Sequence, residues 1–208
     1  MQKNFDGFII KKIQLSYGVD YNMKKTFLLA TILFISVVTT ACINNFAVQE
    51  LNNKAKAYME QGDYKSAIER LKSGVDLDSS VFETQYNLAV AYTMDEDYSN
   101  AIATYQNVIK INPDFADSYY SLAVCEENLA KDIKSKEVIV NEDNTIQKRE
   151  DFDEDTELTD NAKDMIKSLL NSSVSDYEIY LDKAGNADKQ EIEKKIEELK
   201  GMLKEYDE

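Results

Sequence analysis

The chain of 208 residues contains no histidine, no tryptophan, a single proline and only two cysteines. Without histidine, and without enough cysteines for a zinc set, the usual general bases and metal ligands are missing. The six glycines form no phosphate-cradling loop. We therefore predict no catalytic residue, no cofactor and no metal site. A hydrolase that uses Glu or Asp remains an alternative, because carboxylates are too abundant for one pair to be singled out.

Basic residues are scarce as well, with 24 Lys and Arg against 39 Asp and Glu and a net charge of −15. Removing residues 1–41 takes away five lysines and two aspartates and leaves a net charge of −18. Such a surface repels phosphates, so it argues against nucleic acid as a ligand and favours basic partners. The composition, rich in Ala, Leu, Lys and Glu, favours helix over sheet.

Long apolar runs are also rare, and the run from Phe27 to Ala41 has fifteen residues. It falls short of the ~20 residues that a membrane-spanning helix needs. Lys24 and Lys25 precede it and the small residues 39–41 close it, which is the order of a secretory signal. Cys42 follows directly. This arrangement resembles the lipobox of bacterial lipoproteins.

The lipoprotein resemblance implies that Cys42 is lipidated, that the signal 23–41 is cut off, and that acyl chains hold the protein at a membrane surface. Thr39 stands where the family usually has Leu. An uncut anchor helix and a soluble secreted form remain alternatives. The expected location is extracytoplasmic, at the cell membrane or the outer membrane. Ile43 is not the Asp that marks inner-membrane retention in some bacteria, so the outer membrane is the expected destination where one is present. Residues 1–22 then form an upstream extension before a start at Met23.

The chain repeats itself after a shift of 34 residues. The shift maps Asn53, Ala55, Ala57, Tyr58, Asp63, Tyr64, Ala67 and Ile68 onto Asn87, Ala89, Ala91, Tyr92, Asp97, Tyr98, Ala101 and Ile102. A second shift aligns "YNLAV" at 86–90 with "YSLAV" at 120–124. Matches this dense indicate a structural repeat.

The period resembles the tetratricopeptide repeat (TPR), in which each unit is a helix, a turn and an antiparallel second helix. Residues 82–115 form the clearest unit. The resemblance implies an all-α, TPR-like helix-turn-helix solenoid of about three units with a C-terminal capping helix. The predicted repeat-core residues are Ala55, Tyr58, Ala67, Leu88, Ala89, Tyr92, Ala101, Tyr105 and Pro113.

The third unit departs from the period. After a tether at 42–47, residues 48–131 hold units 1 and 2 and the first helix of unit 3. An acidic loop insertion covers 132–160, where the stretch 141–160 carries nine acidic and two basic residues. Helical spacing resumes in 161–208, which we assign to the second helix of unit 3 and the capping helix.

The insertion contains Asp151, Asp153 and Asp155, which have the alternating spacing of a calcium loop. Thr156 replaces the Gly of the sharp turn and Ala162 replaces the closing Glu. We therefore predict a solvated loop, with an acidic cation-binding lipoprotein as an alternative.

The cysteine left after the lipobox, Cys125, falls at the repeat position held by Ala57 and Ala91. Alanine at that position indicates close helix packing. We predict that Cys125 is a small buried hydrophobe and not a nucleophile or a redox centre.

By the pattern of the TPR family, the first helices of the units line a concave groove. The residues expected to face it are Asn52, Asn53, Lys56, Tyr86, Asn87, Val90, Tyr120 and Val124. Asn53 with Asn87, and Tyr86 with Tyr120, lie one period apart and predict two ladders for a peptide backbone and its side chains. Ordinary exposed or inter-helix positions are the alternative. The basic residues with which some relatives clamp a carboxylate are absent.

The function that follows is a membrane-anchored scaffold or assembly factor of the cell envelope, which binds a peptide or partner helix in the groove. The expected partners are other envelope proteins or peptides, and the membrane through lipid on Cys42. A homodimer through an exposed face is also compatible with the sequence.

Overall fold

The computed structural model describes residues 23–34, 44–149, 157–185 and 189–206. The chain divides into two compact units, Met1–Ala47 and Val48–Glu208. In the first unit residues 23–34 are helical, and large apolar side chains such as Phe27 and Leu28 are exposed. Among the described residues, no helix has both the length and the apolar character that crossing a membrane requires.

The second unit is a stack of helices. They are α1 (residues 44–60, of which 48–60 belong to this unit), α2 (Tyr64–Leu77), α3 (Phe82–Met94), α4 (Tyr98–Ile111), α5 (Ala116–Lys134), α6 (Asp160–Ala184) and α7 (Lys189–Leu203), followed by a 3-10 helix at Lys204–Tyr206. From α2 onward each helix packs against the next. The pairs α1–α2, α3–α4 and α5–α6 form three helix-turn-helix units, and α7 covers the last, as the sequence predicts.

The turns inside units 1 and 2 repeat each other in detail. Asp63 and Asp97 cap α2 and α4, each accepting the backbone amide three residues ahead, at 3.1 and 3.2 Å. The residue before each cap is left-handed, Gly62 at φ 75° and Glu96 at φ 58°. Glycine adopts this conformation without a steric cost, whereas glutamate does not. The 34-residue period therefore extends to the backbone of the turns.

Small residues set the distance between the helices. Ala55, Ala67, Ala89 and Ala101 are buried, and the ring of Tyr105 fills the space beside the last two. Interiors packed this closely leave no room for an added methylene. Of the other predicted repeat-core residues, Leu88 is buried and Tyr58 and Tyr92 are half-buried.

Pro113 differs from the rest of that set because it is exposed. It lies in the turn after α4, which ends at Ile111 with Asn112 as its C-cap. Proline stops a helix through its missing amide and its effect on the preceding residue, and neither effect requires a buried ring. Its carbonyl oxygen accepts a hydrogen bond from the Tyr119 hydroxyl at 3.1 Å.

The third unit has a displaced second helix. α6 has 25 residues, whereas α2 and α4 have 14. Its Ser173 hydroxyl donates to the Ala123 carbonyl of α5 at 2.8 Å, and Lys183 near its end reaches Asp114 just before α5, at 3.3 Å. α6 is therefore antiparallel to α5, as the second helix of a repeat unit should be.

The insertion between these helices differs from the predicted loop. α5 continues to Lys134, and β1 (Val138–Val140) pairs antiparallel with β2 (Ile146–Lys148), with Val138 opposite Lys148. Val140 is buried in the core formed by α5, α6 and α7. Strands of three residues are too short to give a periodic signal, so the sequence shows only the acidic composition around them.

The close approach at Ala101 gives a test of the packing. Replacing Ala101 with Leu should lower the free energy of unfolding by about 1–3 kcal/mol, because a fully buried site between helices has no space for the larger side chain. Ala103→Leu is the matched control, since Ala103 is exposed on the same helix and should change stability by about 0.5 kcal/mol or less. Urea unfolding followed by circular dichroism measures both. Equal losses in the two variants would contradict the packing described here.

Candidate functional site

The predicted groove residues of α1 and α3 are connected by side-chain hydrogen bonds. The Asn52 amide nitrogen donates to the Val48 carbonyl at 3.0 Å and to the Thr84 hydroxyl at 2.7 Å. Its oxygen accepts from the Asn87 amide nitrogen at 2.9 Å. Asn52 thus uses both of its donor hydrogens and one acceptor position. The network fixes the facing surfaces of units 1 and 2 relative to each other.

A surface depression of about 520 Å³ lies beside this network. It is lined by Asn52, Asn53, Ala55, Lys56, Met59, Glu60 and Asn87. The structure therefore brings four of the predicted groove residues together. Met59 and Glu60 were not predicted, although they follow Lys56 at spacings of three and four on one helix face. We call this site the α1–α3 depression.

Asn53 and Asn87 were expected to form a ladder, but the hydrogen bond of Asn87 goes to Asn52. Asn53 is exposed at the depression. Sequence periodicity identifies equivalent positions but not which neighbour an amide will bind. The two asparagines at equivalent repeat positions therefore differ, because Asn87 is hydrogen-bonded to Asn52 whereas Asn53 is exposed at the surface.

Tyr86 belongs to an aromatic cluster near the N-terminal end of α3. Its ring meets Phe115 edge-on at 5.1 Å and Tyr105 at 6.0 Å, and it stacks on Phe82 at 6.2 Å. Burial raises the pKa of its phenol. Because Tyr86 is half-buried in this cluster, it supports the packing of units 2 and 3 and presents only part of its surface.

Tyr120 packs against α6. Its ring lies 5.8 Å from that of Tyr177 and 5.3 Å from that of Tyr180, and the residue keeps 39% of its surface exposed. Among the described residues no ring contact joins it to Tyr86, so the two tyrosines are held by different aromatic neighbours. Val90 and Val124 are half-buried and pack against the core. In unit 3, the predicted groove residue Tyr120 is thus held by ring contacts with α6.

Cys125 is completely buried, and its sulfur lies 3.2 Å from the Thr93 hydroxyl oxygen. Burial raises the pKa of its thiol to about 11. A thiol that stays protonated near neutral pH is a weak nucleophile. These features agree with the prediction of a small buried hydrophobe.

Two of the sequence predictions lie outside the described residues. They are the lipidation site Cys42 and the candidate calcium ligands Asp151, Asp153 and Asp155. Ala162, at the position of the closing calcium ligand, is buried in α6. Within the described ranges, no three or more acidic or cysteine side chains are grouped so that they could hold a metal ion.

Sequence reasoning missed a pair of neighbouring glutamates on α5. Glu126 and Glu127 are both buried, each with 4% of its surface exposed. Glu127 accepts Lys131 from its own helix and Lys195 from α7, the latter at 3.0 Å. The Tyr177 hydroxyl lies 3.4 Å from its other oxygen. Glu127 therefore joins α5, α6 and α7 through one charged group.

The comparisons with known proteins agree with this geometry. A family model described as "TPR repeat" matches residues 55–95 and 95–125. Residues 55–125, about a third of the chain, therefore match tetratricopeptide repeats. A comparison with curated protein sequences finds no match.

Solved structures of TPR domains share the fold. The first TPR domain of human RPAP3 is 18% identical, with a TM-score of 0.53 over 76% of this chain and 96% of that one. The second RPAP3 domain, solved with an HSP70 peptide, is 16% identical with a TM-score of 0.52 over 74% and 98%. The TPR domain of Sgt2 from Aspergillus fumigatus is 13% identical with a TM-score of 0.51 over 76% and 80%. At these identities the likeness concerns the fold alone.

Proposed function

We propose that the chain binds a peptide or helix of another protein along the first helices of its repeats, with the α1–α3 depression as the centre of the site. The observation that carries this proposal is the Asn52–Asn87 network beside the exposed Asn53. Stacked repeats present extended concave surfaces for such partners. Amide side chains can donate to and accept from a peptide backbone whatever its sequence.

The charge of the site favours a neutral or basic partner. Among the seven residues that line the α1–α3 depression, Lys56 is basic and Glu60 is acidic, and the whole chain has a net charge of −15. The RPAP3 domain solved with an HSP70 peptide has a partner that ends in the residues EEVD. An acidic peptide of that kind would be repelled by this chain at long range. Basic segments would be attracted by the same field.

We propose further that the protein is a lipoprotein, anchored through Cys42 on the extracytoplasmic side of the cell membrane or the outer membrane. The order of charged, apolar and small residues before Cys42 supports this location. The exposed apolar side chains of the helix at 23–34 suit a segment that enters a membrane or an export channel. The function is then that of an interaction scaffold or assembly factor of the envelope.

The groove proposal predicts the effect of removing two amides. The double variant Asn53→Ala and Asn87→Ala should bind its partner about five- to 150-fold more weakly, since each lost hydrogen bond contributes about 0.5–1.5 kcal/mol. The partner is first captured from solubilised envelopes with the wild-type chain, and calorimetric titration then gives the two affinities.

Asn107→Ala is the matched control, because Asn107 is an exposed asparagine on α4. It should bind as the wild type does. Unchanged affinity in the double variant, with an unchanged circular dichroism spectrum, would rule out the α1–α3 depression as the site.

The anchoring proposal predicts the mass of the N-terminal peptide. In protein from native membranes this peptide should begin at Cys42 and carry two or three acyl chains, and Cys42→Ser should abolish the modification and release the protein from the membrane. Intact-mass measurement and peptide mapping show where the N-terminal peptide begins and whether it carries acyl chains. An unmodified chain that retains residues 23–41 would show that Cys42 is not a lipid site.

A further inference from the structure

Glu126 and Glu127 are adjacent and equally buried, but their surroundings are opposite. Glu127 has two ammonium groups at one of its oxygens, Lys131 and Lys195. Glu126 has an acidic neighbour, Asp176 of α6. Two carboxyl groups can share a hydrogen bond only when one of them holds a proton. Glu127 is therefore paired with two cations, whereas Glu126 lies beside another acid.

The Glu126–Asp176 pair lies between the two antiparallel helices of unit 3. Both residues lie within one helical turn of the contact at which Ser173 donates to the Ala123 carbonyl, since each is three residues from that contact on its own helix. Within the described residues, the Oε2 atom of Glu126 has no hydrogen-bond partner. An ionised carboxylate in that position would be buried without compensation, which is strongly unfavourable.

Within the part of the chain that the structure describes, the charged groups acting on Glu126 include no cation. On its own helix the neighbours are the Cys125 thiol and Glu127, and α6 contributes Asp176 and the Tyr177 phenol. The buried titratable group of α4 is the Tyr105 phenol. Lys195 of α7 and Lys131 of α5 are both directed to Glu127. Asp176 is thus the charged group that acts most directly on Glu126.

The pKa values follow from this placement. Burial, and then the charge of Asp176, raises the pKa of Glu126 to about 9, and burial raises the pKa of Asp176 to about 6. Their ordinary values are 4.5 and 3.8. Since both pKa values are raised, the folded pair holds protons that the opened pair releases. Stability is therefore complete below the ordinary values and is lost as the pH rises through the raised ones.

We propose that Glu126 and Asp176 form a proton switch that makes the docking of α6 on α5 depend on pH. With one shared proton the two helices stay closed, and loss of that proton places two like charges in the interface. Tyr177 and Tyr180 of α6 support Tyr120, a predicted groove residue. Opening of α6 therefore removes one wall of the groove. This last consequence rests on the proposed function, whereas the switch itself does not.

Hydrogen–deuterium exchange of the α6 amides tests the switch on the full chain in detergent, without a partner. After correction for the intrinsic exchange rate, the opening constant of α6 should rise on the order of tenfold per pH unit between about pH 6 and 9. In Glu126→Gln it should be nearly independent of pH over that range, because the amide cannot ionise. Asp182→Asn is the matched control, an exposed acid on α6, and should keep the wild-type slope.

If the opening constant of α6 in Glu126→Gln rose with pH as steeply as in the wild type, the switch would be overturned. An opening constant of the wild type that does not change with pH would overturn it as well. A second measurement needs no variant. Carbon-13 NMR of the glutamate carboxyl carbons in the wild-type chain should show one glutamate that titrates above pH 7, and its absence would also overturn the proposal. Neither result bears on partner binding at the α1–α3 depression, so the two proposals fail separately.

Discussion

The antiparallel contact between α5 and α6 is the interaction on which the C-terminal half of the molecule depends. The last unit of a repeat stack must cover its own apolar face, because no further unit follows to bury it. Here α6, the second helix of that unit, arrives after the insertion that contains the hairpin, and it is fixed at its middle by the Ser173–Ala123 hydrogen bond, while α7 covers the unit. α7 then buries Ile192, Ile196 and Leu199 against the same core.

This contact also accounts for the polar groups in the interior. Closing the interface brings Glu126, Glu127 and Asp176 out of water together, which is costly for three acids in a strongly acidic chain. Two lysines compensate Glu127, and a shared proton compensates the other two. Between units 1 and 2 the hydrogen-bonded side chains are neutral amides, in the Asn52–Asn87 network at their facing surfaces. The two ends of the stack therefore respond differently to pH.

The sequence predicts the parts of the fold that repeat, and it does less well where the period is broken. Asp63 and Asp97 mark equivalent caps and the buried alanines mark equivalent contacts, since the same local geometry recurs every 34 residues. The partner of Glu126 could not be predicted, because the register of α6 depends on how a long insertion folds. The hairpin was missed for a related reason, as its strands are shorter than any detectable period.

The central claim is that the first helices of the repeats carry the partner-binding surface. The most direct measurement is photo-crosslinking in living cells, with a photoreactive residue at Lys56, exposed at the α1–α3 depression, or at Ala103, exposed on α4. The account predicts a discrete crosslinked partner from position 56 and none from position 103. The same partner from 103 alone, or equal yields from both positions, would contradict it.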